Sequence, residues 1–241
     1  RRRRRRRRCG CSSGGKLRPH DSIGIMDSYF PRAEFFTEFE RLASYLDFLK
    51  RKRNTSLDYV SITSPNYLHN SHISYALSAG ADAICEKPLV LDPKEMDLLD
   101  DLEKKTGKKV WNILQLRLHP SIIELKTHIE KGNFNKKHDV DLTYITSRGK
   151  WYLNSWKGRS DLSGGIAFNI GIHFFDMLSY IFGDVQENIL HMKETTKASG
   201  YLEYQNARVR WFLSIDEQDL PRIVQIHNGL LPSHSMGKSL V

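Results

Sequence analysis

Residues 57–88, LDYVSITSPNYLHNSHISYALSAGADAICEKP, decide the fold. Leu57 to Ile62 is a short apolar run ending in Ser64-Pro65-Asn66, the pattern of a buried strand stopped by a turn. His72 to Ala79 follows with helical spacing and stops at Gly80, the residue type that most readily closes a helix in the left-handed conformation. Asp82-Ala83-Ile84-Cys85 is a second short buried strand, ended by Glu86-Lys87-Pro88. Two strands joined through a helix pair in parallel, because a tight turn cannot return the chain in the same direction.

The same alternation continues on both sides. Asp92-Pro93 opens a helix through Met96, Leu98, Leu99 and Leu102 that ends near Gly107, and Val110 to Leu114 is the next strand. Upstream, Glu34-Phe35-Phe36 is a short strand candidate, followed by an amphipathic helix through Leu42, Leu46 and Leu49. Strands separated by helices predict an α/β fold with a doubly wound parallel sheet. Ligands bind beyond the carboxyl ends of such strands. Ser64-Pro65-Asn66, Glu86-Lys87-Pro88 and Gln115 all stand on that rim.

Past residue 115 the pattern changes. Asp141 to Ser147 is strand-like, Trp151, Tyr152 and Trp156 fall in a loop region, and a long apolar helix spans Ile166 to Phe182 before Gly183. Ile189–Met192 and Tyr201–Ile215 alternate as a β meander, which predicts an α+β domain with a largely antiparallel sheet. The expected divisions are an Arg-rich leader over 1–21, a partial dinucleotide-binding domain over 22–115, an α+β substrate and oligomerisation domain over 116–221, and an unpatterned tail over 222–241.

Composition narrows the function classes. The formal charge is +9, but eight of the 37 basic residues form one run, Arg1 to Arg8; nine less eight leaves +1 on the rest. A nearly neutral body argues against a nucleic-acid partner. Three cysteines, Cys9, Cys11 and Cys85, build neither a disulfide framework nor a four-ligand zinc site, and no metal is expected. The odd count and the lack of a hydrophobic leader point to a reducing, cytoplasmic location, and no stretch is expected to reach the length of a membrane span. Gly10-Cys11-Ser12-Ser13-Gly14-Gly15-Lys16 has the spacing of a phosphate-binding loop. Leu17 stands where that loop needs a Mg²⁺-binding hydroxyl, and polyarginine stands where it needs a buried strand, so it is rejected.

Two features carry chemistry. The apolar helix over Ile166–Phe182 has three polar exceptions, Asn169, His173 and Asp176, which share one stripe at α-helical spacing. A buried polar stripe is either satisfied internally, with Asp176 holding His173, or faces a wet cavity. Lys87 ends a buried strand between Glu86 and Pro88; burial lowers a lysine's pKa and fits it for proton chemistry, while a surface lysine at a strand end is the plainer alternative.

The words Ser64-Pro65-Asn66 with His69, Glu86-Lys87-Pro88, and Gly164-Gly165 leading to Asn169, Gly171, His173 and Asp176 resemble the Gfo/Idh/MocA oxidoreductase family. Phe35-Phe36-Thr37-Glu38-Phe39-Glu40, Ile113-Leu114-Gln115-Leu116-Arg117, Leu142 to Gly149, Ser155-Trp156-Lys157-Gly158 and Gly200-Tyr201-Leu202-Glu203-Tyr204 resemble its UDP-N-acetylglucosamine-type 3-dehydrogenases of bacterial surface-polysaccharide (O-antigen) synthesis. The resemblance runs over about residues 22–221. It implies a Rossmann-type first domain and NAD-dependent oxidation of the 3-hydroxyl of a nucleotide sugar such as UDP-N-acetylglucosaminuronate.

By the same resemblance Lys87 stands beside the nicotinamide and the substrate hydroxyl, and His173 is the general base. Ser64, Pro65, Asn66, His69, Glu86, Lys87 and Gln115 fall on the cofactor side, and Lys87, Asn169 and His173 on the substrate side. Arg148 and Lys157 are assigned to the uronate carboxylate or the diphosphate, with solvated surface cations as the alternative for each. Asn169 stands where many family members carry aspartate, which removes a charge beside the candidate bases. Family members form homo-oligomers.

A family member begins with a strand, a glycine-rich turn and a helix; no G-x-G-x-x-G occurs in this sequence, and Arg1 to Arg8 occupies its place. The similarity also fades after Asp219-Leu220-Pro221, so the sequence is read as incomplete at both ends. The alternative function is a non-catalytic remnant that binds a sugar nucleotide or a protein partner; tight NAD binding separates the two.

Overall fold

A computed structural model describes residues 29, 33–53, 55, 57–132 and 137–220 of the chain. The leader over 1–21 with its rejected phosphate-loop word, the place of the glycine-rich turn, and the tail over 222–241 lie outside the described residues.

The chain divides into two compact units, one to Thr55 and one from Ser56. In the first, α1 spans Phe39–Arg53, with Glu40 in its first turn and Lys50, Arg51, Lys52 and Arg53 in its last, the charge order that suits a helix dipole. Leu42, Leu46 and Leu49 form its half-buried stripe. Glu34-Phe35-Phe36 is not a strand. A strand needs a neighbour for its N–H and C=O groups, and the described residues supply none; the Phe36 ring instead stacks at 5.1 Å on Tyr45 of α1.

The second unit opens with β1 (Tyr59–Ile62), α2 (His69–Ala79), β2 (Asp82–Cys85), α3 (Lys94–Thr106) and β3 (Val110–Asn112). The strands form a parallel sheet in that order, with Ile62, Cys85 and Asn112 level at its carboxyl edge. Gly80 closes α2 at φ +91°, in the left-handed region a side chain would resist. Ile62, Ile73, Ala76, Leu77, Ala83, Cys85 and Leu99 form the core under this edge. Removing each Ile or Leu side chain from water contributes about 1.5–3 kcal/mol.

A 3₁₀ turn over Gln115–Leu118 leads to α4 (Pro120–Lys131) and then β4 (His138–Ile145). The second sheet adds β5 (Val185–Lys193), β6 (Lys197–Tyr204) and β7 (Ala207–Ser214), in the order β4-β7-β6-β5. β5, β6 and β7 form an antiparallel meander, and β4 runs parallel to β7. Period-two alternation buries Ala207, Val209, Trp211 and Leu213 on one face of β7 and exposes Arg208 and Arg210 on the other. The buried face packs against α4 and the helix that carries His173.

Between β4 and β5 lies the segment that builds the site. The expected loop around Trp151, Tyr152 and Trp156 is a run of short helical pieces: α5 (Lys150–Asn154), a 3₁₀ turn (Trp156–Gly158) and α6 (Ser160–Ser163). The expected continuous helix over Ile166–Phe182 is a π-helical turn, Ala167–Gly171, running into α7, Ile172–Phe182. A π turn adds a residue per turn, so the stripe drawn at α-helical spacing breaks within it.

Contrary to expectation, one stretch reaches membrane-span dimensions: Ser160–Phe182, 23 residues, is long and apolar enough by length and composition alone. In the fold it is a core segment, interrupted at Gly164 and burying Leu178, Ile181 and Phe182 in the second core.

Candidate active site

The carboxyl ends of β1 and β2 carry Ser64-Pro65-Asn66 and Glu86-Lys87-Pro88, and the loop after β3 carries Gln115, exposed at the same rim. His69, fully buried at the start of α2, joins the first two loops. Its Nδ1 lies 2.7 Å from the Pro88 carbonyl oxygen and its Nε2 2.9 Å from that of Ser64. Ser64 also meets the His72 ring, Oγ to Nδ1 at 3.0 Å. Asn112, at the end of β3, donates its side-chain amide to the carbonyls of Cys85 and Glu86 at 3.0 and 3.2 Å. The Lys87–Pro88 peptide bond is cis.

From this rim two donors reach the segment between the sheets. Asn66 is buried and donates through Nδ2 to the carbonyl of Ser163 at 2.9 Å. Lys87 donates through Nζ to the carbonyl of Asn169 at 2.5 Å. Between the two acceptors the chain turns through Gly164 and Gly165, at φ +79° and +75°. Gly164 has a second constraint: a Cβ there would lie 2.5 Å from the Cβ of Phe168.

The polar residues of the helix have separate partners. Asn169 is buried and donates through Nδ2 to the Tyr152 hydroxyl at 2.8 Å. Asp176 takes a bidentate pair from Arg117 in the Gln115–Leu118 turn, one of its bonds at 2.9 Å, rather than holding His173. His173 Nδ1 is buried with no hydrogen-bond partner among the described residues.

The electrostatics follow from this packing. Burial, more than any charge, holds the Lys87 amine below its ordinary range; Lys157 and Arg148 add to the depression, and Glu86 opposes it. Burial and then the Lys87 ammonium lower the His173 imidazole, against Glu86 and Asp176. Burial raises the Tyr152 phenol, with Asn169 and Arg148 opposing. Cys85, below the rim, is pushed up to about 12 by burial and is an inert thiol at neutral pH. Lys157 also sits over the Trp151 and Trp156 rings, 5.5 and 5.7 Å from their centroids.

The fold thus brings Ser64, Pro65, Asn66, His69, Glu86, Lys87, Asn169 and His173 into one region, with Arg148 and Lys157 near enough to act on Lys87. Tyr152, Ser163, Arg117 and Asn112 also belong to the framework, and sequence reasoning gave them no role. Tyr152 stood out only as one aromatic in a cluster, and Arg117 lay inside a word quoted for its resemblance. A cavity of about 760 Å³ opens beside this region, between the Ser160–Ser179 segment and the β5–β6 hairpin. Tyr152 and Lys157 line it, whereas Lys87 and His173 are not on its wall. Charge and hydrogen bonding, not volume, mark the chemistry.

The residues present suit a dinucleotide and an anionic substrate. Among the described residues Lys87, Arg148 and Lys157 form no ion pair, and only Glu86 offsets the charge on Lys87. The His173 imidazole, whose buried Nδ1 has no hydrogen-bond partner among the described residues, lies near Lys87. Ser64, Pro65, Asn66, Glu86, Lys87 and Gln115 would hold the nicotinamide side at the edge of the parallel sheet.

Comparison with known proteins agrees with this architecture. Residues 9–113 match the Gfo/Idh/MocA description "Oxidoreductase family, NAD-binding Rossmann fold", and residues 126–223 match its "C-terminal alpha/beta domain". A crystal structure of the WlbA (WbpB) dehydrogenase of Thermus thermophilus with NAD and alpha-ketoglutarate is 50% identical, with a TM-score of 0.78, covering 85% of this chain and 65% of that one. The same dehydrogenase in complex with NAD and UDP-GlcNAcA gives 49% identity, a TM-score of 0.78, and coverage of 85% and 66%. D-glucoside 3-dehydrogenase of Escherichia coli is 27% identical over 126 residues, 52% of this chain and 36% of that protein. The chain spans about half or less of the length of the curated relatives it matches first, 48% and 42%, and just under two thirds of these structural neighbours. It has an NAD-binding oxidoreductase fold: a parallel sheet with helices followed by a mixed, mostly antiparallel four-stranded sheet. The chain belongs to the Gfo/Idh/MocA oxidoreductase family.

Proposed function

We propose that the protein oxidises the 3-hydroxyl of a UDP-N-acetylhexosaminuronate, UDP-N-acetylglucosaminuronate first among them, in polysaccharide sugar synthesis. The observation that carries the reading is the hydrogen bond from Lys87 to the Asn169 carbonyl, which puts a lysine of lowered pKa beside the helix bearing His173, itself of lowered pKa and with no partner for its buried Nδ1 among the described residues. Bound NAD supplies the hydride acceptor.

The chain's own residues supply the rest. His173, neutral above its lowered pKa, accepts the proton of the 3-hydroxyl as the carbon–oxygen bond becomes a carbonyl. Lys87 donates to the same oxygen and stabilises the charge that develops on it. Asn169 adds no charge of its own, so the proton has one basic destination. Arg148 and Lys157 hold the carboxylate or the diphosphate, a role suited to cations that form no ion pair among the described residues. The likeness to a dehydrogenase crystallised with NAD and UDP-GlcNAcA supports this choice of sugar.

The test is the appearance of NADH absorbance when the purified chain meets NAD and UDP-N-acetylglucosaminuronate. The reading expects turnover with the acid and at least ~10-fold less with UDP-N-acetylglucosamine, which lacks the carboxylate that the cations pair with. Equal turnover of the two sugars would overturn the assignment of Arg148 and Lys157. No turnover of either would remove the substrate assignment.

A further inference from the structure

His69 lies within the cofactor-side loop, yet its ring is sealed from any ligand: it is fully buried, and each nitrogen faces a main-chain carbonyl. Those two carbonyls belong to different loops. Ser64 is two residues before Asn66, and Pro88 is one residue after Lys87. Asn66 and Lys87 are in turn the two donors that cross to the second sheet's segment, at Ser163 and Asn169. One imidazole therefore spans the roots of both crossing contacts.

We infer that His69 is a positioning residue that sets the spacing of Asn66 and Lys87, and through their grip on Ser163 and Asn169 fixes where His173 stands relative to the lysine. The role rests on the proposed use of Lys87 and His173, and it deepens that reading. The loops above β1 and β2 are held from below only as far as Ile62 and Cys85, where the ladder between the strands ends. Beyond that point the His69 ring, whose neutral form donates to only one of the two carbonyls it lies against, carries the registration together with the Glu86 N–H donating to Ile62 and the Asn112 amide. The Nδ1 contact is the one adjoining Lys87, so the two halves of the imidazole are not equivalent.

The inequivalence gives a test that needs neither NAD nor sugar. In the full chain, competitive acetylation read by mass spectrometry at successive pH values gives the titration midpoint of Lys87, with the exposed Lys94 as internal reference. In the wild type the Lys87 midpoint lies below the ordinary lysine value of 10.5, since burial lowers it. His69→Ala loosens the loop and moves the Lys87 midpoint up toward the ordinary lysine value. His69→Asn keeps an N–H near the Nδ1 position and holds the midpoint; His69→Gln reaches toward Ser64 instead and does not. Leu178→Ala, a core truncation on α7 where it packs against the other sheet, lowers the melting temperature and leaves the midpoint in place.

An unmoved Lys87 in folded His69→Ala overturns the inference, and so does an Asn variant no better than the Gln variant. If Leu178→Ala also moves the midpoint, the effect is general loosening and the inference falls. Should His69→Ala fail to fold, the Asn and Gln pair decides alone. Failure of the sugar assignment would abolish turnover and leave these midpoints as stated, so the two ideas fail separately.

Discussion

The side chain of Lys87 is anchored on the main-chain oxygen of Asn169, 82 residues further along the chain, at 2.5 Å. This contact joins the edge of the parallel sheet to the π turn that opens the His173 helix, so the lysine's chemistry depends on both halves of the fold. Lys87→Met keeps the length of the side chain and removes its charge. Steady-state assays are expected to show kcat lowered by at least ~10²-fold, the usual range for losing a group that stabilises or moves a proton in the transition state. The melting temperature is expected to change little, because relief of a desolvated cation is offset by loss of the hydrogen bond to the Asn169 carbonyl.

His173 makes a prediction about acid. Burial first, then the Lys87 ammonium, holds its imidazole below the ordinary value of 6.5, so the unfolded chain takes up this proton at a higher pH than the folded chain does. Stability is untouched by His173 above that value and is lost as the pH falls from 6.5 through the lower folded pKa. Urea unfolding is expected to show wild type losing more stability than His173→Gln on acidification across that window. The acid limb of kcat/KM is expected below 6.5 and is expected to be absent from any residual activity of the variant.

Gly164 and Gly165 both take positive φ, but only Gly164 lacks room for a side chain, with Phe168 Cβ 2.5 Å from where its own would be; the nearest atom to a Gly165 Cβ is 3.7 Å away. Gly165→Ala is expected to cost about 1 kcal/mol from backbone strain alone. Gly164→Ala adds a clash inside the turn and is expected to cost about 2–4 kcal/mol, read from urea midpoints. It also displaces Ser163, the acceptor for Asn66, so ligand affinity is expected to fall with stability in that variant only.

What the sequence disclosed and what it hid follow the range of the forces involved. Strands β1 to β3 and the ends of α2 and α3 were legible because apolar runs and the glycines at 80 and 107 act within a few residues. Glu34–Phe36 has the composition of a strand, but pairing is a long-range matter and its residues meet none. The five-residue α5 is too short to show a helical period, so Tyr152 was assigned to a loop. The polar stripe of Asn169, His173 and Asp176 presumed uniform α-helical spacing; the π turn and tertiary contacts sent Asn169 to Tyr152 and Asp176 to Arg117. Lys87, Asn66 and His69 stand out in the sequence only as parts of words resembling a family, whereas the carbonyls they meet carry no side-chain signature at all.

Arg117 and Asp176 give a prediction about stability. The carboxylate is nearly buried, while the guanidinium stays partly exposed and lies 5.5 Å from the centre of the Tyr180 ring. Asp176→Asn is expected to cost about 1–2 kcal/mol in urea unfolding, the range for a charge-assisted hydrogen bond open to solvent on one side. Arg117→Lys is expected not to restore the loss from Arg117→Ala, because an ammonium cannot make the planar bidentate contact.

The most direct measurement follows one atom. UDP-N-acetylglucosaminuronate carrying deuterium at carbon 3 is incubated with the chain and NAD, and the reduced cofactor is weighed by mass spectrometry. The account predicts that the reduced cofactor carries the deuterium, and that Lys87→Met and His173→Gln both suppress its formation. Reduced cofactor without deuterium would place the chemistry at another carbon. Deuterium transfer undiminished in both variants would place it at other residues.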